Sequence, residues 1–231
     1  MCFLNVKQKI YVGILMVIYI IFLLGDFWNI FNTNNFKFIS IILCFFMTFN
    51  YKEYISKKDI LLLRVAKFLT IITDYLLLFT NYFFYGVCIF SIIQIIYIYR
   101  HNGTKNKSKG DYILKSLLVV IISISILNFL GFFKNENMLI ITSIYSILII
   151  GGTIIAYLAP AYYKENYINR KLVFYGMFLF LLCDINVGVS NLSNFGLFSE
   201  ISNNIKNYSF DLIWLFYLPS QIILSMSGRK Y

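Results

Sequence analysis

Two aspartates lie inside runs that are otherwise apolar: Asp74 in Ile72-Thr73-Asp74-Tyr75-Leu76, and Asp184 in Leu182-Cys183-Asp184-Ile185-Asn186. A carboxyl group within a hydrophobic span costs several kcal/mol unless it is neutral, paired or wetted. Such a group is therefore a candidate for chemistry, the competing reading being a helix-packing acid bonded to a neighbour. Asp184, Gly188 and Asn191 recur at i, i+4 and i+7 and share one helical face. Gln94 and Tyr97 stand at i and i+3, and Trp214, Tyr217 and Gln221 at i, i+3 and i+7. The inventory is a pair of carboxyls with amide and phenol donors. Two carboxyls sharing a site do not both ionise readily, which leaves a general acid beside a general base.

Other chemistries lack their residues. The single histidine, His101, sits in a basic loop, and a zinc hydrolase needs several His, Cys or carboxylate ligands. No metal or other cofactor is expected. There is no G-x-S-x-G elbow and no phosphate loop. Cys2, Cys44, Cys88 and Cys183 form no C-x-x-C pair, and three of them lie in apolar segments, so reduced thiols are expected. The net charge of +10 is spread over short loops, which points to membrane topology rather than to nucleic acid.

The elements that must position these residues are membrane helices. The 231 residues are 60% hydrophobic and 19% aromatic, beyond the usual make-up of a soluble domain. The apolar runs are long and unbroken, and only helices or closed barrels cross lipid. The expected fold is all-α, a single integral membrane domain over 1–231. Eight spans are expected, at about 10–28, 37–50, 59–79, 82–100, 112–130, 138–159, 170–191 and 210–227. The first is read as a retained helix, because Gly25-Asp26-Phe27 is not a signal-peptidase site. Tight links at Thr80-Asn81 and at 131–137 imply antiparallel neighbours.

Lys and Arg fall largely on one side. That side holds Lys7, Lys9, Lys52, Lys57, Lys58, Arg100, Lys105, Lys107, Lys109, Lys164, Arg170, Lys171, Arg229 and Lys230; the other holds Lys37, Lys134 and Lys206. Arg64, Lys67 and Lys115 lie inside helices, where long side chains snorkel towards the basic side. The positive-inside rule then places both termini in the cytoplasm of a cell with, on this reading, a bacterial plasma membrane. In that orientation Asp74 lies about 21 Å and Asp184 about 18 Å into the membrane, at similar heights. Gln94 and Gln221 lie about 18 and 14 Å below the outer surface. Each half supplies an Asp helix followed by a Gln/Tyr helix, which suggests two parallel four-helix halves. The loop 192–209 carries Phe195, Phe198, Ile201 and Ile205 at near-helical spacing, so it is either an amphipathic surface helix or an ordinary polar loop.

At these residues the chain resembles the YhhN family, the lysoplasmalogenase family of eight-helix membrane proteins. The resemblance is carried by Phe36-Lys37, by Thr73-Asp74-Tyr-Leu-Leu-Leu with Gly86, by Gln94-Ile-Ile-Tyr97, by Gly176-Met-Phe-Leu-Phe-Leu-Leu-Cys-Asp184 and by Trp214-Leu-Phe-Tyr217-Leu-Pro-Ser-Gln221. It covers nearly the whole chain. It implies hydrolysis of the vinyl ether bond of lysoplasmalogens to a fatty aldehyde and a glycerophospho-alcohol, with Asp74 and Asp184 as the catalytic pair. Many members carry His where this chain has Gln94, and Gln cannot titrate, so any acid–base part played by that His is absent here.

The chemistry suits the residues. A vinyl ether is cleaved by protonating carbon to give an oxocarbenium ion, to which water adds before the hemiacetal collapses. One Asp would give the proton and the other would stabilise the cation and activate the water. Gln94, Tyr97, Asn191, Trp214, Tyr217 and Gln221 are the expected substrate-binding groups. Lys37 would either hold a lipid phosphate or anchor its helix at the interface. The expected partners are a lysophospholipid substrate and membrane lipid. Two rivals stand beside this reading: a transporter or lipid-translocating protein with acids in its substrate path, and a scaffold whose acids are structural.

Overall fold

A computed structural model describes residues 6–28, 30–51, 53–102, 137–162, 167–191 and 203–230. They form seven helices: α1 (Val6–Trp28), α2 (Asn34–Met47), α3 (Lys57–Phe79), α4 (Phe83–Asn102), α5 (Asn137–Tyr162), α6 (Tyr167–Asn191) and α7 (Asn203–Met226). No strand occurs among the described residues; one isolated bridge joins Tyr54 to Arg229. Helices α1, α4, α5, α6 and α7 are long and apolar enough to cross a membrane. Helix α2 is shorter, and α3 carries more charge. The expected span at 112–130 and the residues 192–202 of the amphipathic stretch lie outside the described residues. Helix α7 begins at Asn203, earlier than the expected 210.

Sequence explains several of these elements locally. Ser56, extended at φ −157° and ψ 157°, caps α3 by accepting from the Asp59 amide. Thr80 leaves the helix in an extended conformation, and the short link returns the chain as α4 beside α3. Pro219 sits inside α7 and cannot donate to the carbonyl of Leu215 one turn earlier. The Tyr19 hydroxyl of α1 donates to that carbonyl at 2.9 Å. A defect in one helix thus becomes the docking point of another.

The helices close into a ring. Each of α1 to α6 packs on its successor, and α7 packs back on α1 and α2. The most extensive contact joins α6 to α7, where a Cβ on Gly176 would come within 2.6 Å of the Leu224 side chain and 3.2 Å of its backbone nitrogen. Only glycine allows that approach. Register follows from the contacts. Phe90 meets Tyr145, and a Cβ on Gly152 would lie 3.4 Å from Ile98, so α4 and α5 run parallel. Asp184 meets Tyr145 and Met177 meets Gly152, so α5 and α6 run antiparallel.

The bundle is inverted relative to a soluble protein. Ile10, Val17, Ile20 and Ile21 of α1 are exposed, as are Phe68, Tyr75, Ile92, Ile95, Tyr157 and Phe178. Lys37, Asp59, Lys67, Asp74, Gln94, Arg100 and Gln221 are buried. At one end Arg100 grips Asp59 with two hydrogen bonds of 3.1 and 2.9 Å and donates to the Ser227 hydroxyl at 2.9 Å. Arg170 lies 3.8 Å from the same Asp59 carboxyl. Asn169 donates to the carbonyls of Ser227 and Arg229, and Arg229 donates to Gln8 at 2.8 Å. The start of α1 and the end of α7 therefore lie at the same end of the bundle.

One expectation fails here. Lys67 does not snorkel to the basic side. It is 1% exposed, and its Nζ donates to Oε1 of Gln221 at 2.6 Å and to the Gln221 carbonyl at 2.9 Å. Its position on the inner face of α3 outweighs its nearness to the helix start, and the α7 amide replaces the lost water.

Candidate functional site

The end opposite the Arg100–Asp59 knot holds a cavity of about 510 Å³. Its described lining comes from α2, α3, α4, α6 and α7 and includes Lys37, Asp74, Asp184, Asn191, Trp214 and Tyr217. The walls between them are apolar, with Leu77, Phe90, Phe180 and Ile213. Asp74 lies about 8 Å before the end of α3, and Asp184 about 10 Å before the end of α6, at 1.5 Å per residue. Both helices run towards this end, so one cavity receives both acids. A second cavity of about 360 Å³ adjoins it and shares Asp184, Asn191, Phe90 and Leu77.

Each acid is held by a tyrosine. The Tyr217 hydroxyl of α7 donates to Oδ1 and Oδ2 of Asp74 at 2.9 and 2.8 Å. The Tyr145 hydroxyl of α5 donates to Oδ2 of Asp184 at 2.6 Å. The two sites differ. Asp74 is 3% exposed and engages Tyr217 through both oxygens. Asp184 is half-buried, and its Oδ1 has no hydrogen-bond partner among the described residues. Among the described residues neither carboxyl forms an ion pair; Lys67, two turns below Asp74, is turned to Gln221. The tyrosine partnering crosses the expected halves. Tyr217 comes from the second half and holds the acid of the first.

Lys37 is no plain interfacial anchor. It is 4% exposed, pairs with Asp26 of α1 at 2.8 Å, and lies 5.4 Å from the Trp214 ring centre. Thr33 also donates to Asp26. Asn34, beside them, donates to the Leu78 carbonyl at 3.1 Å and ties the start of α2 to the end of α3. Phe180 and Trp214 pack on the Tyr217 ring at 5.6 and 5.1 Å, so aromatic contacts hold the phenol in place.

Of the residues singled out in the sequence, Asp74, Asp184, Lys37, Asn191, Trp214 and Tyr217 meet at the cavity. Gln94, Tyr97 and Gln221 do not line it. Gln221 faces the Lys67 ammonium, and Tyr97 stacks on His101 with ring centres 5.8 Å apart. Gln94 lies beside the Tyr145 hydroxyl without an aligned hydrogen bond. Sequence reasoning missed Tyr145 and Asp26. Tyr145 stood in an expected span with only Thr142, at i−3, as a polar neighbour on its face and nothing to link it to Asp184, and Asp26 was weighed only as part of a cleavage site. His101 was placed in a loop but is the penultimate residue of α4, and it is buried.

The model of the YhhN family matches residues 32–228. The chain belongs to the YhhN family. The match holds both aspartates, both tyrosines and every described cavity residue, while α1 with Asp26 lies before it. No curated protein and no solved structure matches this YhhN protein significantly.

Proposed function

We propose that this YhhN protein is a membrane hydrolase that cleaves the vinyl ether bond of lysoplasmalogens. The observation that supports the reading best is the pair of carboxyls in one cavity, each oriented by a tyrosine hydroxyl and neither in an ion pair among the described residues. A cavity of about 510 Å³ is in the range of small-molecule sites. It accommodates the ether and neighbouring chain of a single-chain lipid.

The asymmetry assigns roles within the proposal. Asp184, with Oδ1 unengaged, gives a proton to the vinyl carbon distal to oxygen. The resulting oxocarbenium ion is stabilised by the Asp74 carboxylate, whose two oxygens both accept from Tyr217. The nearby ring faces of Phe180 and Trp214 also favour a cation. Water adds to the cationic carbon and passes a proton to Asp74. The hemiacetal then collapses: its hydroxyl loses a proton and becomes the aldehyde carbonyl, while the departing oxygen gains one and leaves as the alcohol. Return of the proton from Asp74 to Asp184 through the shared cavity restores the starting state. Lys37, Trp214 and Asn34 meet the polar glycerophospho end.

The proposal includes eight crossings with both ends in the cytoplasm of a bacterial plasma membrane. The parallel run of α4 and α5 supports the count, because successive helices in one direction require an intervening return. The Arg100, Arg170 and Arg229 end is the cytoplasmic one on the positive-inside rule. The test is incubation of detergent-purified protein with a lysoplasmalogen, reading fatty aldehyde. Aldehyde release by wild type supports the reading. No release, with lipid binding or transbilayer movement instead, rejects it in favour of a translocating protein.

A further inference from the structure

The inner face of α4 carries a row of buried polar groups without an aligned hydrogen bond among the described residues. Gln94 and Tyr97 are 0% exposed and His101 is 1% exposed. Gln94 Oε1 and Nε2, Tyr97 Oη, and His101 Nδ1 and Nε2 are all buried without a hydrogen-bond partner. The three residues recur at i, i+3 and i+7, so they form one stripe about 10 Å long at 1.5 Å per residue. Its upper end lies at the Tyr145 hydroxyl, which holds Asp184. Its lower end lies beneath Arg100, which binds Asp59.

A single buried polar group without a partner costs about 1–3 kcal/mol. Five such atoms in a row are not sustained by apolar packing, and each can be satisfied by a small molecule that both donates and accepts. Water is the molecule of that size with both donors and acceptors. We propose that Gln94, Tyr97 and His101 hold a file of buried water that runs from the Tyr145–Asp184 pair towards the end of the bundle where α1 begins and α7 ends. Resting on the hydrolytic reading above, the file supplies the water that each turnover consumes. The lipid can then fill the apolar cavity from the opposite end without blocking that supply.

The file is tested on the intact protein by pulsed hydroxyl-radical labelling with mass spectrometry, in which ordered water beside a side chain raises its oxidation. Phe22, 0% exposed and packed edge-on between Tyr19 and Trp214, is the dry reference. Tyr97 and His101 label severalfold faster than Phe22 if the file is wet, and labelling at the Phe22 rate overturns the proposal. This readout needs no substrate, so it stands or falls apart from the vinyl ether reading. The delivery role is tested by Tyr97→Phe and Gln94→Leu in aldehyde release. A severalfold fall in kcat at unchanged KM supports it. Wild-type kcat in both variants, with Tyr97 or His101 labelled in the parent, overturns the delivery role.

Discussion

At the scale of single residues, the site rests on where two carboxyls can afford to be buried. Asp74 and Asp184 each accept a hydrogen bond from a phenol and form no ion pair among the described residues, an arrangement that keeps a proton-transfer role open. Asp→Asn preserves size and removes that role. Asp74→Asn and Asp184→Asn are expected to fold and to lose aldehyde release by on the order of a hundredfold or more, the range for a missing acid–base group. The double variant is expected to be little worse than either single, because residues acting as a unit are not additive. Wild-type rates in both singles would reduce the acids to packing. Lys37 offers a second prediction. Its ammonium is shared with Asp26, and replacing it by Gln is expected to raise KM by about tenfold at little change in kcat, since a charged hydrogen bond contributes ~1.5–3 kcal/mol. An unchanged KM would mean that Lys37 serves only Asp26.

At the scale of elements, two contacts decide how the helices meet. Gly176 lets α6 close on Leu224 of α7 and so brings Asp184 and Tyr217 to one cavity. Gly176→Val is expected to lower stability by about 1–3 kcal/mol, the usual cost of overpacking. The measure is the thermal midpoint in detergent, and an unshifted midpoint would show that the interface can part. Tyr19 and Pro219 give a sharper case. Tyr19→Phe leaves the Leu215 carbonyl unsatisfied and is expected to cost ~1 kcal/mol. In a Pro219→Ala background the backbone amide of residue 219 can take that carbonyl, so the loss on Tyr19→Phe should shrink. Equal losses in the two backgrounds would refute the link between the proline and the docking of α1.

At the scale of the whole molecule, charge is sorted end to end. The Arg100–Asp59–Arg170 knot and the Gln8–Arg229 contact mark one end, and the cavity with Lys37 marks the other. A reporter active only in the cytoplasm is expected to work when fused after Tyr231 and also when fused before Met1. Activity at one end alone would contradict the Gln8–Arg229 contact, and silence at both, with an externally active reporter working, would invert the orientation. The same sorting separates the two routes that the proposed hydrolysis needs. In the proposed reaction lipid enters from the cavity end, while the polar stripe of α4 leads away towards the knot.

Much of this was legible in the chain itself, because the membrane leaves few choices. Long apolar runs must be helices, a buried acid must have a reason, and helical spacing put Trp214 with Tyr217 and Asp184 with Asn191 on common faces before any fold was known. The similar depth of Asp74 and Asp184 followed from counting residues along helices whose direction the Lys and Arg pattern set. What depth cannot supply is rotation. Whether Lys67 pointed to the basic side or to Gln221, and whether Gln94 looked into the cavity or along the core of α4, depended on which helix came to lie opposite. The partners Tyr145 and Asp26 were equally hidden, since no local spacing links them to Asp184 and Lys37. Those pairings arise only when α5 meets α6 and α1 meets α2, and in a bundle with small residues at its closest contacts it is tertiary packing that selects them.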